Sequence, residues 1–397
     1  MDEGIAAERF RSAVAKSTKD EWIDGTGAAP ARLGYLPAFD GLRGLAVITV
    51  IVFHLGPGVV PFGSHGVDVF FALSGFLITT LIVEEKDQQR GKFAFGRFYA
   101  RRSLRLFPAL YAMLVVSGTY LTVRWSRIPG FLADGSTGDP HLRQTMAKYL
   151  AAAATYTSNL REVATRPGNL FGHTWSLAVE EQFYLVWPML LCVCLAWFSR
   201  AHLANVLALL LLGCFAVRLG ATPPILYRVV SKVRPDGLLA GSAAAMLRLG
   251  SPRLCRFVRR HAVVIAELGM LGIVATAYLR FGSWSENGMN RVGYTPLAVS
   301  STALILVLAL CPATTNWPWL RTPGLVRIGK ISYGLYIWHY PIFVIIGWEL
   351  AGLPAVARIA LKLIVTGVVA ALSMRYLEQP AMRWQRRFRV EPNIRSI

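Results

Sequence analysis

Charge is scarce in this chain, and acidic charge scarcest. Asp and Glu number 22 against 42 Lys and Arg, and charged residues make up 16% of the sequence where a typical soluble domain has about 25%. With 54% hydrophobic residues, that shortage excludes an ordinary soluble globular protein. Cysteine is sparse too: Cys192, Cys194, Cys214, Cys255 and Cys311 lie in or beside apolar runs, without the paired spacing of a disulfide framework or a zinc site. Cys192 and Cys194 stand two apart, so on a helix they face different directions and make a poor metal pair. Residues 1–33 have no apolar core of the signal-peptide kind. A low-complexity tract, a convincing internal repeat and a long polar insert are all missing, which leaves one apolar unit between two tails.

What is present is a series of nearly charge-free stretches of spanning length. They run at about 43–60, 66–83, 104–123, 175–198, 201–219, 236–250, 262–280, 295–312, 331–350 and 355–377. The expected fold is an all-α polytopic membrane protein with about ten transmembrane helices. The Ala-rich piece from Met146 to Tyr156 is too short to cross and is expected to be re-entrant or interfacial. The expected division is a cytoplasmic tail at 1–33, a transmembrane domain at 34–380 and a basic cytoplasmic tail at 381–397. The formal net charge of +20 invites a nucleic-acid reading, but the basic residues sit in short loops between apolar runs, as a positive cytoplasmic rim does. Lys86, Arg90, Lys92, Arg97, Arg101 and Arg102 place the second loop inside, and Arg383, Arg386, Arg387, Arg389 and Arg395 place the C-terminus inside. Ten crossings satisfy both ends. One loop fits poorly: Arg218 to Arg234 lands outside with four basic residues.

The chemistry-bearing residues sit within these apolar runs. Arg43 and His54 are 11 positions apart, about 20° beyond three full helical turns and roughly 16 Å along the axis, so both project from one face at different depths. An ionisable group on a spanning helix is costly and normally faces a polar cavity, although Arg43 could also snorkel to headgroups and His54 could be a packing residue. Arg97, Arg101, Arg102 and Arg105 cluster at the start of the third run; guanidinium forks suit a ligand with several phosphates, and equally suit anionic lipid. Asp68 opens the second run, where it could orient an imidazole or cap the helix. Glu180 and Glu181 lie about one turn into another run, and Glu180 is the one expected to face the cavity. The stretch Ser332 to Pro341 is dense in aromatics and holds a second apolar-segment histidine, His339. Asp236 and Glu378 stand at helix ends, where capping or an ion pair to arginine is the default.

Phe39-Asp40-Gly41-Leu42-Arg43 with His54, Gly66-Val67-Asp68 to Ile78, Arg102-Ser103-Leu104-Arg105, Trp175 to Tyr184, Ser332 to Pro341 and Glu378-Gln379-Pro380, in that order, resemble the acyltransferase type 3 family of integral membrane proteins. The resemblance implies transfer of an acyl group, acetyl or another short one, from acyl-CoA to a hydroxyl. The acceptors it allows are an envelope glycolipid, a polysaccharide unit or a glycosylated macrolide. It implies a bacterial-type plasma membrane, no metal and no nucleic-acid partner. His54 is then the catalytic residue, a general base or an acyl carrier, supported by Asp68 or Glu180. Arg43, Arg102 and Arg105 are the donor-binding residues, and Trp175, Tyr336 and His339 are expected to contact substrate. Some relatives carry a soluble esterase-like domain, and a chain of 397 residues without one is expected to complete transfer within the membrane. A transporter or flippase of an anionic lipid or sugar is the rival reading, since it too would use buried Arg, His and Glu.

Overall fold

Leu36-Pro37 starts the first helix because proline at the first helical position loses no hydrogen bond and presets φ; the run then continues to Leu55 as α1 (Pro37–Leu55). The computed structural model describes residues 32–56, 63–124, 142–160, 169–220, 224–282, 289–312 and 317–385, and every regular element among them is helical. After α1 come α2 (His65–Gln88), α3 (Phe95–Arg124), α4 (Leu142–Ala154), α5 (Thr174–Trp197), α6 (Arg200–Arg218), α7 (Pro224–Val233) and α8 (Asp236–Gly250). The chain continues through α9 (Pro252–Arg260), α10 (Ala262–Gly282), α11 (Tyr294–Leu310), α12 (Pro323–Lys330), α13 (Ser332–Glu349), α14 (Ala355–Ser373) and α15 (Gln379–Gln385). Side chains set some of these starts: Ser199 accepts from His202 N at 3.2 Å to cap α6, and Ser251 accepts from Leu254 N at 3.3 Å to cap α9.

Among the described residues, seven helical stretches are long and apolar enough to cross a membrane: α1, α2, α3, α5, α6, Arg291–Leu310 and Ala355–Trp384. Counting α9 with Ala262–Tyr278, a pair bent by 82°, as one broken span makes eight. The expected ten is not confirmed, for two physical reasons. α8 has 15 residues and spans only about 22 Å at 1.5 Å per residue, short of a hydrocarbon core of about 30 Å. α13 has 18 residues but carries Ser332, Tyr333, Tyr336, His339, Tyr340 and Glu349 along its length. The Met146 segment is a 13-residue helix, α4, which buries Met146, Tyr149, Ala152 and Ala153. Residues 1–31, 57–62 and 386–397, which hold most of the expected N-terminal tail, first loop and basic C-terminal tail, lie outside the described residues.

α2 is the hub of the bundle. One apolar core joins it to α1, α3, α4, α5 and α13, and a second joins it to α1, α8, α10 and α11. Small residues let α8 approach it: a Cβ on Gly237 would meet Phe71 Cβ at 2.8 Å, and one on Gly241 would collide with the Ala72 carbonyl. Gly75 of α2 returns the arrangement, lying against the Leu238 carbonyl of α8. Gly241→Ala is therefore expected to lower stability by about 1–3 kcal/mol through overpacking, read as a lower thermal midpoint of the detergent-solubilised protein.

The poorly placed basic loop finds its charges in this same region. Arg218 donates to Asp236 at 2.7 Å, with both side chains buried, and Thr295 donates to the other Asp236 oxygen at 2.6 Å. Arg234 donates to both oxygens of Asp68, at 2.6 and 2.5 Å, and lies over the Tyr294 ring at 3.7 Å. Two of the four basic residues thus neutralise carboxylates inside the bundle, and Asp236 takes the arginine partner expected of it.

Candidate active site

α1 carries Arg43 and His54 to opposite ends of the site, because its 19 residues hold them about 16 Å apart along one face. At the Arg43 end a cavity of about 680 Å³ opens between α1, α2, α3, α5 and α13. Its walls include Arg43, Arg101, Arg102 and Arg105 together with Glu84, Glu85 and Glu180, and its inner reaches include Ser176 and Tyr336.

The four arginines differ in what they already hold. Arg101 pairs with Glu85 at 3.4 Å, Arg102 with Glu181 at 3.4 Å, and Arg43 reaches Asp40 only at 3.9 Å. Arg105 is exposed to the cavity, and among the described residues no carboxylate lies within ion-pair distance of it. Of the four, Arg105 is the guanidinium whose fork has no direct carboxylate contact among the described residues, although Glu180 shares its cavity. Arg102 packs face-on over the Tyr184 ring at 3.0 Å from its centroid, which fixes the direction of its fork.

Glu180 faces the cavity, where its Oε1 accepts from both the Ser74 hydroxyl and the Tyr184 hydroxyl and lies 3.9 Å from Arg102. Its neighbour Glu181 takes the closer contact with Arg102. Neither Asp68 nor Glu180 sits on the His54 ring. Asp68 belongs to Arg234, because a buried guanidinium demands a buried carboxylate, and Glu180 belongs to the cavity wall. The sequence suggested one of these two acids as the support of the His54 imidazole; among the described residues neither is in hydrogen-bond contact with that ring.

The rings that surround His54 include those of a histidine and a tyrosine. His54 is half-buried; its Nδ1 lies 2.9 Å from the Val50 carbonyl and 3.3 Å from His339 Nε2. Its ring meets Tyr340 edge-on, with centroids 5.1 Å apart. His173, unassigned from sequence, stacks on Tyr340 at 5.1 Å and lies 5.5 Å from His339. Gly172 makes room for that stack, since a Cβ there would meet the Tyr340 hydroxyl at 2.9 Å. His54 does not line the cavity. Between them stands Tyr336, whose hydroxyl contacts Ser176 Oγ at 2.5 Å and donates to the His173 carbonyl at 2.9 Å. One further ring, His339, separates Tyr336 from His54, with centroids 5.5 and 5.0 Å apart.

Of the expected substrate contacts, Tyr336 lines the cavity and His339 is buried beside His54. Trp175 lies apart from both, edge-on to Phe71 at 6.2 Å and 5.0 Å from Arg234. Sequence reading missed His173, Ser74, Ser176, Tyr184 and Arg234 as members of the site and its supports. A third histidine at the mouth of an apolar run was a usable signal for His173. Ser74, Ser176 and Tyr184 lie inside stretches that carry the family resemblance but are not singled out by residue type, and Arg234 was counted only as loop charge.

Residues 36–375 match the profile of the type 3 acyltransferases, described as an acyltransferase domain. Among curated proteins, the chain is 34% identical over 367 residues to YrhL of Bacillus subtilis, named a candidate peptidoglycan O-acetyltransferase, covering 87% of this chain and 55% of that protein. It is 31% identical over 363 residues to the peptidoglycan O-acetyltransferase OatA of Listeria monocytogenes, covering 87% and 56%. It is 29% identical over 365 residues to the O-acetyltransferase OatA of Staphylococcus aureus, covering 87% and 57%. The chain thus spans a little over half the length of the relatives it matches. No solved structure matches it. The order of motifs, the helical bundle built on them and a family match over most of the sequence agree: the chain belongs to the acyltransferase type 3 family of membrane proteins.

Proposed function

We propose that this protein is a membrane O-acyltransferase that moves an acetyl or similar short acyl group from acyl-CoA to a hydroxyl of a cell-envelope glycan, with His54 as general base. The names of the relatives support peptidoglycan as the acceptor class and acetyl as the group. The observation that carries the reading is Arg105, exposed to the cavity beside Arg43 and Arg102 and without a carboxylate in ion-pair distance among the described residues, in a cavity whose inner end lies one ring from the His339–His54 pair. The donor's phosphates take the arginines, each fork binding two oxygens. Its flexible arm runs inward past Tyr336 to bring the thioester carbonyl to His54.

His54 then removes the proton of the acceptor hydroxyl as its oxygen attacks that carbonyl. The new ester C–O bond forms, the thioester C–S bond breaks, and the imidazolium returns the proton to the departing thiolate. The cavity mouth lies among the C-terminal turn of α2 and the start of α3, where Lys86, Arg90, Lys92 and Arg97 cluster. Under the positive-inside rule that is the cytoplasmic side, the compartment that supplies acyl-CoA. His54 lies toward the opposite face, where the glycan would be met. In this reading both termini are cytoplasmic and the membrane is the bacterial plasma membrane.

Purified protein given acetyl-CoA, a thiol reagent and peptidoglycan fragments is expected to release free CoA in an acceptor-dependent way. No release with any acyl-CoA would overturn the proposal. Arg105→Ala is expected to raise the KM for acyl-CoA roughly 10- to 100-fold, the worth of one hydrogen-bonded charge contact, with the KM for acceptor unchanged. Steady-state kinetics with each substrate varied in turn reads the difference.

A further inference from the structure

The carbonyls around the histidine cluster fix which ring nitrogens carry protons. A carbonyl oxygen only accepts, so a histidine nitrogen that bonds to one must donate. His339 Nδ1 lies 2.7 Å from the Tyr336 carbonyl and 3.2 Å from that of Leu335, so this nitrogen carries hydrogen. His54 Nδ1 lies 2.9 Å from the Val50 carbonyl, so it carries hydrogen as well. The remaining contact joins His54 Nδ1 to His339 Nε2 at 3.3 Å. Two N–H groups cannot point at each other, and therefore His339 Nε2 is a bare lone pair. The His54 Nδ1–H is shared between the Val50 carbonyl and that lone pair, which leaves the lone pair of His54 on Nε2.

We propose that His339 is a positioning residue: its Nε2 holds His54 in the Nδ1–H tautomer and turns the basic His54 Nε2 toward the acceptor hydroxyl. The inference deepens the general-base reading and rests on it. When the hydroxyl proton arrives on His54 Nε2, the ring becomes an imidazolium whose Nδ1–H donates more strongly to the same acceptor. His339 neither gains nor loses a proton in the step; it serves as a fixed acceptor, the part that a carboxylate plays in other imidazole bases. Its own ring is held from behind: Nδ1 is tied to the α13 backbone, and His173 packs edge-on against it at an interplanar angle of 74°. His173 is anchored to the same helix, with Nε2 donating to the Ile337 carbonyl at 3.1 Å.

The test combines kinetics with nitrogen NMR of the histidine-labelled enzyme in lipid nanodiscs, the His54 signals being assigned by their loss in His54→Ala. The wild-type enzyme is expected to show His54 protonated at Nδ1. His339→Leu is expected to lose that fixed tautomer and to lower kcat roughly 10- to 100-fold, with the KM for acyl-CoA unchanged. His339→Gln, whose amide oxygen can stand where the lone pair stood, is expected to recover most of the rate. A wild-type His54 protonated at Nε2, a His339→Leu enzyme with normal kcat, or a Gln variant no better than Leu would each overturn the proposal. His54→Ala separates two failures. Normal turnover in that variant means that the base assignment has failed, whereas a dead His54→Ala beside an unimpaired His339→Leu means that only the positioning role has.

Discussion

An enzyme in which His54 is replaced by alanine is expected to turn over about 10²- to 10⁴-fold more slowly, the usual worth of a positioned general base, while binding CoA as tightly as the wild type. The separation follows from the layout. His54 lies beyond Tyr336 and does not line the arginine cavity, so its removal leaves Arg43, Arg102 and Arg105 in place. Only the proton transfer is lost. Turnover measured by CoA release, set against CoA affinity measured by calorimetry, checks both halves. A His54→Ala enzyme that loses CoA binding in step with turnover would mean that the histidine belongs to the donor site. One that keeps normal turnover would mean that it is not the base.

The second large effect concerns stability. Asp68→Ala is expected to destabilise the protein by about 3–5 kcal/mol, because it leaves the buried Arg234 guanidinium without its counter-charge. Asp68 holds Arg234 through both oxygens, with Trp175 and Tyr294 as the aromatic surroundings of the guanidinium. No water can stand in cheaply within a packed bundle. Replacing both partners with leucine is expected to recover much of the loss, since the penalty comes from the orphaned charge rather than from the missing attraction. Thermal unfolding of the solubilised variants reads the order: wild type above the double variant, and the double variant above Asp68→Ala. A double variant no better than the single one would show that the pair is held for its own bond energy.

The sequence made legible what is local. Arg43 and His54 share a helix, so their common face and their separation follow from helical geometry alone. The arginines at the start of α3 cluster by spacing, and three of them, Arg101, Arg102 and Arg105, line the cavity. What stayed hidden depends on residues far apart in the chain. Asp68 is 166 positions from Arg234, Ser74 is 106 from Glu180, and His54 is 285 from His339. No local pattern tells an acid near an apolar-run start which of several cations it will meet. The same blindness misled the charge count in the loop from Arg218 to Arg234, where two arginines counted as loop charge are spent on buried acids. The count of about ten spans is not confirmed at α8 and α13, because a short or polar-bearing apolar run does not by length and composition alone tell a crossing helix from one packed inside a bundle.

The account stands on a donor that enters at the arginines and delivers its acyl carbon to His54. A structure of the protein with a non-transferable thioether analogue of acetyl-CoA tests this directly. The expected result has the nucleotide phosphates against Arg102 and Arg105, the arm passing Tyr336, and the acyl carbonyl beside the His54 ring with room for one hydroxyl between them. A nucleotide bound away from those arginines, or an arm that stops on the cavity side of an unbroken Tyr336–Ser176 contact, would contradict it.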